Sequence, residues 1–283
     1  MKAICRELTR PWVASVALFC LFILVWQLLT SGGSGPAAGV DPEYARLAGQ
    51  SAAQTQTGAI PSPVAVAKRG YELAVDAFDA SNPNNLGIAW HLYYSLGRVL
   101  LGFLLAVVVA VPLGFALGLM PRLYQALNPF IQVLRPVSPL AWMPLALYTF
   151  RDSTVSTIFI IFICAIWPML INTAVGAAAV RSEWVNVSRV FGVGRLEHVT
   201  RIVFPASLPM IMTGLRISIG IAWFVIVAAE MVGAQSGIGY FIWNEWNNLQ
   251  IASMIVAIVV IGVIGLALDV GLSWIGRRLS FRE

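Results

Sequence analysis

The chain has 283 residues, of which 59% are hydrophobic and only 11% are charged, with a formal net charge of +5. A soluble domain usually carries about 25% charged residues, so the composition excludes an ordinary soluble protein and predicts an all-α, polytopic membrane protein. The positive charge does not indicate nucleic-acid binding, because the arginines lie in short segments between apolar runs. The few cysteines and histidines are scattered, which argues against a disulfide framework, a metal site or a cofactor-bearing centre.

Six apolar runs are long enough to cross about 30 Å of hydrocarbon as helices. They lie at residues 12–29, 94–119, 129–150, 155–177, 210–232 and 253–275. The third run contains Pro136, Pro139 and Pro144 and, since proline removes backbone donors, we expect it to be kinked or partly unwound. The first run follows three basic residues, as in a signal peptide. It is longer than the usual apolar core of about 7–15 residues, which favours a retained membrane anchor.

The arginine distribution predicts the orientation, because basic residues mark the cytoplasmic side of short segments. Arginines are concentrated in segment 178–209 and near both termini, whereas the short segments on the opposite side carry little beyond Arg151. We therefore expect both termini and 178–209 to be cytoplasmic and 235–252 to be outside. Within the long outer segment, residues 31–58 have the composition of a flexible insert, and 64–79 fit a short amphipathic helix.

A polar segment at 186–205 separates two apolar runs. We predict a short helix at 195–201 outside the bilayer, because Gly194 can cap it and Glu197 pairs favourably with Arg201 four residues later. Gly192 permits a sharp turn before this helix, and the prolines at 205 and 209 are expected to mark re-entry into the membrane.

The spacing in this segment resembles the cytoplasmic "EAA" loop of ABC-importer permeases, whose pattern is E-A-A-x3-G-x9-I-x-L-P. The Gly, Ile and Pro of the pattern are present, while Asn-Val-Ser replaces the triplet and Phe204 replaces Leu. The resemblance implies that the loop couples the permease to an ATPase. The residues so implied are Asn186, Val187, Ser188, Gly192, Arg195, Glu197, Arg201, Ile202 and Pro205. From spacing alone, an ordinary basic cytoplasmic loop is an equal alternative.

Longer stretches are similar to the nitrate-type branch of the nitrate/sulfonate/taurine permease family. They include W-P-x-x-x-N-T-A-x-G at 167–176 and G-I-G-x-F-I-W-x-x-W-N at 237–247, with further similarity at 91–103, 134–145, 213–217 and 228–232. The resemblance implies a type I importer transmembrane domain at 92–277, which includes the coupling loop 178–209. It follows an N-terminal tail and first span at 1–30 and a periplasmic segment at 31–91, and it precedes a cytoplasmic tail at 278–283.

Charged residues inside membrane spans are costly and therefore mark candidate functional sites. Arg98 and Glu230 both fall in the outer halves of their spans, so Arg98 either attracts an anionic cargo or pairs structurally with Glu230. Arg135 and Arg216 lie near inner ends, where they either line the pathway or extend to the lipid headgroups. For each residue the structural alternative is favoured.

Two glycines, Gly114 and Gly118, form a G-x-x-x-G pattern in the second span, which lets helices approach closely. Packing within the chain is favoured over a dimer contact. Trp243 and Trp246 fit interface anchors as well as they fit a partner contact.

The resemblance implies the permease of an ATP-driven importer of nitrate or a similar small anion such as nitrite, cyanate or bicarbonate, in the bacterial inner membrane. It implies separate ATPase subunits, a periplasmic or lipid-anchored binding protein, and a second permease copy as a homodimer. The chain has no G-x-x-x-x-G-K-[ST] sequence, so it lacks its own phosphate-binding loop and is not expected to be an enzyme. The alternatives are a sulfonate or taurine permease and, in another class, an ion-coupled carrier or integral-membrane enzyme. A carrier would need carboxylates within the spans, where Glu230 is nearly alone.

Overall fold

The computed structural model describes residues 11–31, 60–80, 86–180, 183–184, 188 and 190–279. Within these ranges the regular secondary structure is entirely helical, as the composition predicts. The helices are α1 (Pro11–Ser31), α2 (Pro63–Val75), α3 (Ile88–Leu119), α4 (Pro121–Leu134), α5 (Met143–Phe150), α6 (Ser153–Ala178), α7 (Arg195–His198), α8 (Phe204–Gly233), α9 (Ile238–Asn247) and α10 (Ile251–Leu279). The predicted insert 31–58 lies outside the described residues.

Five helical runs among these residues are long and apolar enough to cross a membrane, and a bent helix pair provides a sixth. The number of five to six spans agrees with the prediction of about six, the sixth being the bent pair counted as one span. The second span begins at Ile88, earlier than the predicted residue 94. The predicted amphipathic helix at 64–79 is present but ends at Val75.

The third span is the bent pair, as its prolines predict. Helix α4 and the segment Pro139–Phe150, which begins with one 3₁₀ turn, meet at 87°. Pro129 lies inside α4 and does not begin the span as expected, because the helix already starts at Pro121. Proline at the first helical position costs no helical hydrogen bond, because an N–H group at that position would have no partner inside the helix.

The two compact units of the chain are described separately. The first comprises the described residues up to Asp76 together with Glu245–Val256. Inside it, the N-cap Ser62 accepts a hydrogen bond from Ala65 N at 3.3 Å and so starts α2. Arg69 on α2 donates to Ser253 Oγ at 2.9 Å, which ties α2 to the start of α10.

The second unit comprises Ala77–Asn244 together with the chain from Ala257 onward, and its core is formed by α3, α6 and α8. Lipid supplies no hydrophobic force between helices, so their association depends on close packing. A Cβ atom added to Gly114 would lie 2.6 Å from Thr173 Cβ, and one added to Gly118 would lie 2.7 Å from Ala177 Cβ. Both contacts are on α6, so the prediction that the G-x-x-x-G glycines pack within the chain is confirmed.

Candidate functional site

The segment predicted to couple the protein to a partner forms a tight turn around Gly192. Gly192 has φ +64°, the left-handed conformation that glycine adopts with little strain. Val193 N donates to Ser188 O at 3.0 Å across the turn. A six-residue closure of this kind, with glycine in the left-handed position, is the Schellman motif that ends helices. The predicted sharp turn at Gly192 is therefore present.

A side-chain hydrogen bond fixes the two sides of this turn to each other. The hydroxyl of Ser188 and Nδ1 of His198 lie 2.8 Å apart, and Ser188 is buried. His198 N donates to Gly194 O at 2.8 Å, so Gly194 begins α7 as predicted. Glu197 and Arg201 form the expected pair at 3.1 Å, although both side chains are exposed. Asn186 and Val187 lie outside the described residues, and only the backbone of Arg195 is described.

The short helix predicted at 195–201 is not a separate element, while membrane re-entry at Pro205 and Pro209 stays a prediction. Helix α7 continues without a break through a π-helical segment, Val199–Val203, into α8. Pro205 directly follows the π-helical segment, in the first turn of α8. Further along the helix, the Thr213 hydroxyl donates to Pro209 O at 2.9 Å. Ile202, expected in the loop, is therefore helical and half-buried.

Apolar side chains around the turn are exposed on this unit. Val190 is 84% exposed, and Phe191 and Leu196 are each 79% exposed. Together they give the Gly192 turn an apolar surface next to the exposed pair of Glu197 and Arg201. Apolar anchors with a polar rim are typical of protein–protein contacts.

A buried ion pair lies near the other end of α8. Arg98 Nη1 donates to Glu230 Oε1 at 2.7 Å, and the two side chains are 7% and 0% exposed. Arg98 also donates to Ser236 O at 2.6 Å and to Ser236 Oγ at 2.8 Å. The hydroxyl of Ser95 donates to both oxygens of Glu230, at 2.9 and 2.8 Å. The structural alternative proposed for Arg98 is therefore the arrangement observed.

The same group of side chains caps the start of α9. Gly237 N donates to His91 Nδ1 at 3.1 Å, Ile238 N to Ser95 Oγ at 2.8 Å, and Gly239 N to Glu230 Oε2 at 3.0 Å. The first backbone N–H groups of a helix have no partner inside the helix, and a carboxylate there is favoured by the helix dipole. The cap thus fixes the segment 234–239 to α3 and α8.

Gly237 and Gly239 are required by this close approach. Gly237 has φ +115°, and a Cβ atom there would overlap the Glu230 carboxylate. A Cβ atom on Gly239 would lie 2.8 Å from Glu230 Cβ. The two glycines of the G-I-G run noted in the sequence are therefore explained by the close approach of this segment to Glu230.

Arg216 forms an exposed ion pair with a carboxylate on α10. Arg216 Nε and Nη2 donate to the two carboxylate oxygens of Asp269 on α10, at 2.5 and 2.6 Å. Glu230 is thus not nearly alone as a carboxylate in the spans, and Asp269 was missed because it stands singly in a long apolar run.

Two capping residues, His91 and Ser95, were also missed, although the sequence carried a signal for them. His91, Ser95 and Arg98 are spaced by four and three residues, which places three polar side chains on one face of an otherwise apolar helix. Arg135 lies elsewhere, at the bend between α4 and the 3₁₀ turn. Among the described residues, no three His, Cys, Asp or Glu side chains come together as metal ligands.

Comparisons with known proteins agree with this architecture. The family model described as "Binding-protein-dependent transport system inner membrane component" matches residues 99–281. The chain is 36% identical to the nitrate import permease protein NrtB of Leptolyngbya laminosa over 279 residues, which cover 99% of this chain and 91% of that protein. It is 40% identical to NrtB of Synechocystis sp. over 264 residues, which cover 93% of this chain and 86% of that protein.

A bicarbonate protein and a solved structure are also similar. The chain is 36% identical to the bicarbonate transport system permease protein CmpB of Synechococcus elongatus over 257 residues, which cover 90% of this chain and 85% of that protein. The inward-facing MetNI methionine ABC transporter matches with a TM-score of 0.61 and 14% identity, over 69% of this chain and 96% of the matched chain. At this identity the likeness concerns the fold, and it confirms the type I importer fold that the sequence predicts.

Proposed function

Because the chain belongs to the family of binding-protein-dependent transport system inner membrane components, we propose that it is the permease of an ABC importer for nitrate. The observation that carries the choice of nitrate is the 36–40% identity with nitrate import permeases over at least 93% of the chain. The identity with bicarbonate permeases is 35–36% over 90–92% of the chain, which makes bicarbonate the second candidate. Both ions are planar, singly charged oxyanions.

The energy for import comes in this proposal from partner subunits. ATP hydrolysis takes place in cytoplasmic ATPases, since the chain has no phosphate-binding loop of its own. A periplasmic or lipid-anchored binding protein delivers the anion, and two permease copies form the pathway. Both termini and the Gly192 turn face the cytoplasm, as the arginine distribution supports.

The substrate is tested by growth and uptake. A strain that lacks this gene should fail to grow on limiting nitrate as sole nitrogen source, and a plasmid copy should restore growth. Labelled nitrate uptake is measured with excess unlabelled nitrate, nitrite, cyanate, bicarbonate or taurine. Normal nitrate uptake in the deletion strain would refute the nitrate assignment. Competition by bicarbonate stronger than that by unlabelled nitrate would favour the second candidate, and competition by taurine would favour a sulfonate permease.

The ATPase contact is proposed at the Gly192 turn. The turn is held in one shape by the left-handed glycine and by the bond between Ser188 and His198. Its exposed apolar side chains, Phe191 and Leu196 among them, offer a surface that fits a groove on a soluble partner. A fixed shape lowers the entropy cost of binding.

Substitution of Gly192 tests this contact. Among the described residues, no atom lies within 4 Å of a Cβ added there, so a substituent acts on them through backbone strain and not through a clash. We expect Gly192→Glu to cost about 1–2 kcal/mol in turn stability and to add a charge to the surface. The permease should reach normal membrane levels, lose its ATPase on mild detergent extraction and fail to import. Gly192→Asn is the matched control, since asparagine tolerates the left-handed conformation, and it should retain the ATPase. Normal ATPase retention and uptake in Gly192→Glu would show that the turn is an ordinary connection.

A further inference from the structure

We propose that Arg135 is the anion-binding side chain of the translocation pathway and that its ligand is the planar, singly charged oxyanion in transit. The proposal rests on the proposed function in its choice of nitrate as probe. Three observations support it: the pairing of the other span arginines, two cavities at the bend, and a polar face of α4 that lines one of these cavities.

The first evidence is the absence of a partner for Arg135. The other two arginines singled out in the spans are neutralised, Arg98 by Glu230 and Arg216 by Asp269. Among the described residues, Arg135 has neither a carboxylate nor any other side-chain partner. A charge within a membrane protein usually faces a partner or a water-filled path. An exposed guanidinium without a counter-ion is the group that a passing anion would neutralise.

The second evidence is the open space beside Arg135. One cavity of about 290 Å³ is lined by Arg135 together with Tyr124, Asn128 and Gln132. A second cavity of about 330 Å³ is lined by Arg135 with Ser138, Trp167 and Asn172. Arg135 is common to both, because it lies at the bend where α4 ends and the chain turns by 87°. An anion in either cavity lies within reach of the same guanidinium.

The third evidence is a polar stripe on α4 that leads to this position. Tyr124, Asn128 and Gln132 are spaced by four residues each, and Arg135 follows three residues later. At helical spacing the four side chains lie on one face, and all four line the 290 Å³ cavity. The phenol and the two amides are neutral hydrogen-bond donors that replace part of the hydration of an anion. They do so without the tight binding that additional cations would cause.

The chemistry of arginine fits this ligand. Its planar guanidinium presents parallel N–H groups that match two oxygens of a planar oxyanion. The group stays charged at every physiological pH. Its place after the last turn of α4 also favours a cation, because the carboxyl end of a helix is negative. The cation can therefore remain without a carboxylate until the substrate arrives.

The first experiment compares nitrate uptake by the complete transporter with Arg135→Met, Arg135→Lys and the control Arg122→Met. Arg122 is exposed on the same helix and lines neither cavity. We expect Arg135→Met to lower maximal uptake by about tenfold, the scale of one lost charge-assisted hydrogen bond. The apparent KM, ATPase retention and membrane level should not change, because delivery and coupling depend on other surfaces. Arg135→Lys should retain more uptake than Arg135→Met, and Arg122→Met should equal the wild type.

Nitrate uptake by the wild type distinguishes a failure of the proposed function from a failure of the proposed role of Arg135. Absent nitrate uptake by the wild type would refute the proposed function and not the role of Arg135. Wild-type uptake that is unchanged in Arg135→Met would overturn the role of Arg135 and leave the proposed function intact. If Arg135→Met does not accumulate in the membrane, Gln132→Glu is tested in its place. This variant keeps Arg135 but adds a carboxylate one helical turn away, which should neutralise the guanidinium and lower nitrate uptake. Full nitrate uptake by Gln132→Glu would equally overturn the inference.

The second experiment measures the local charge without transport. The three native cysteines are replaced, and Gln132→Cys is labelled with an anionic or a cationic thiol reagent of equal size. A unit charge about 6 Å away in a water-like medium changes such rates by about threefold. The anionic reagent should react faster, nitrate should slow it, and Arg135→Met should abolish the preference. Equal rates with Arg135 present would refute an anion-attracting cavity.

Discussion

Removing Arg98 tests how far the buried ion pair stabilises the permease. The side chain makes one bond to Glu230 Oε1 and two to Ser236, and it is almost completely buried. Breaking a buried pair from one side typically costs about 3–5 kcal/mol, because the remaining charge is left without its partner. Arg98→Met should fall in that range. Glu230 would keep only its bonds from Ser95 and Gly239 N.

The size of the interaction itself follows from a double-mutant cycle. Arg98→Met, Glu230→Gln and the double mutant are compared, since the double mutant leaves no uncompensated charge. We expect the double mutant to lose less unfolding free energy than the two single mutants together, by about 0.5–3 kcal/mol. Arg201→Met is the control, because its pair with Glu197 is largely exposed and such pairs contribute little.

The assay is equilibrium unfolding of the purified permease in mixed micelles with increasing SDS, followed by tryptophan fluorescence. The chain contains ten tryptophans, so the signal is strong. Two results would refute the reasoning. One is a loss of under about 1 kcal/mol in Arg98→Met, below the range for buried pairs. The other is single losses that add to within about 0.5 kcal/mol in the double mutant, as for sites without contact.

Two further predictions concern orientation and packing. In a permease without its native cysteines, Asn248→Cys should react with an impermeant thiol reagent in intact cells. Arg195→Cys should react only after lysis, because the arginine distribution predicts that 178–209 is cytoplasmic. Reaction of Arg195→Cys before lysis would contradict this orientation. Gly118→Ala should lower thermal stability in detergent, since its Cβ would lie 2.7 Å from Ala177 Cβ, whereas Gly97→Ala on the same helix meets no atom within 4 Å and should be neutral or slightly stabilising. Equal effects of the two alanines would contradict the packing of α3 on α6.

The spans were predictable because they depend on one property, the length of apolar sequence needed to cross a bilayer. The bend in the third span was predictable for a similarly local reason, since proline removes backbone donors. The boundaries were less accurate. Helix α3 begins at Ile88, before the apolar run, because its first turn carries His91, whose ring nitrogen accepts a hydrogen bond from Gly237 N after α8.

A charged site was predictable from the sequence where both partners of an ion pair could be recognised, and less so where only one of them could. Arg98 and Glu230 were matched from their opposite charge and similar depth. Asp269 was missed, and with it the partner of Arg216, because hydropathy does not show which faces of two helices meet. The continuous helix through Pro205 was missed since a proline in the first turn reads locally as a boundary.

The unbroken helix from the Gly192 turn to Gly233 has a mechanical consequence. Its 38 residues from Leu196 measure about 57 Å at 1.5 Å per residue, so one helical run joins the turn to the far end of α8. At that end Glu230 accepts a hydrogen bond from Gly239 N and so holds the start of α9. If an ATPase moves the turn, the helix can bend at the π-helical segment and at Pro209. The displacement that such bending does not absorb would reach the segment 234–239.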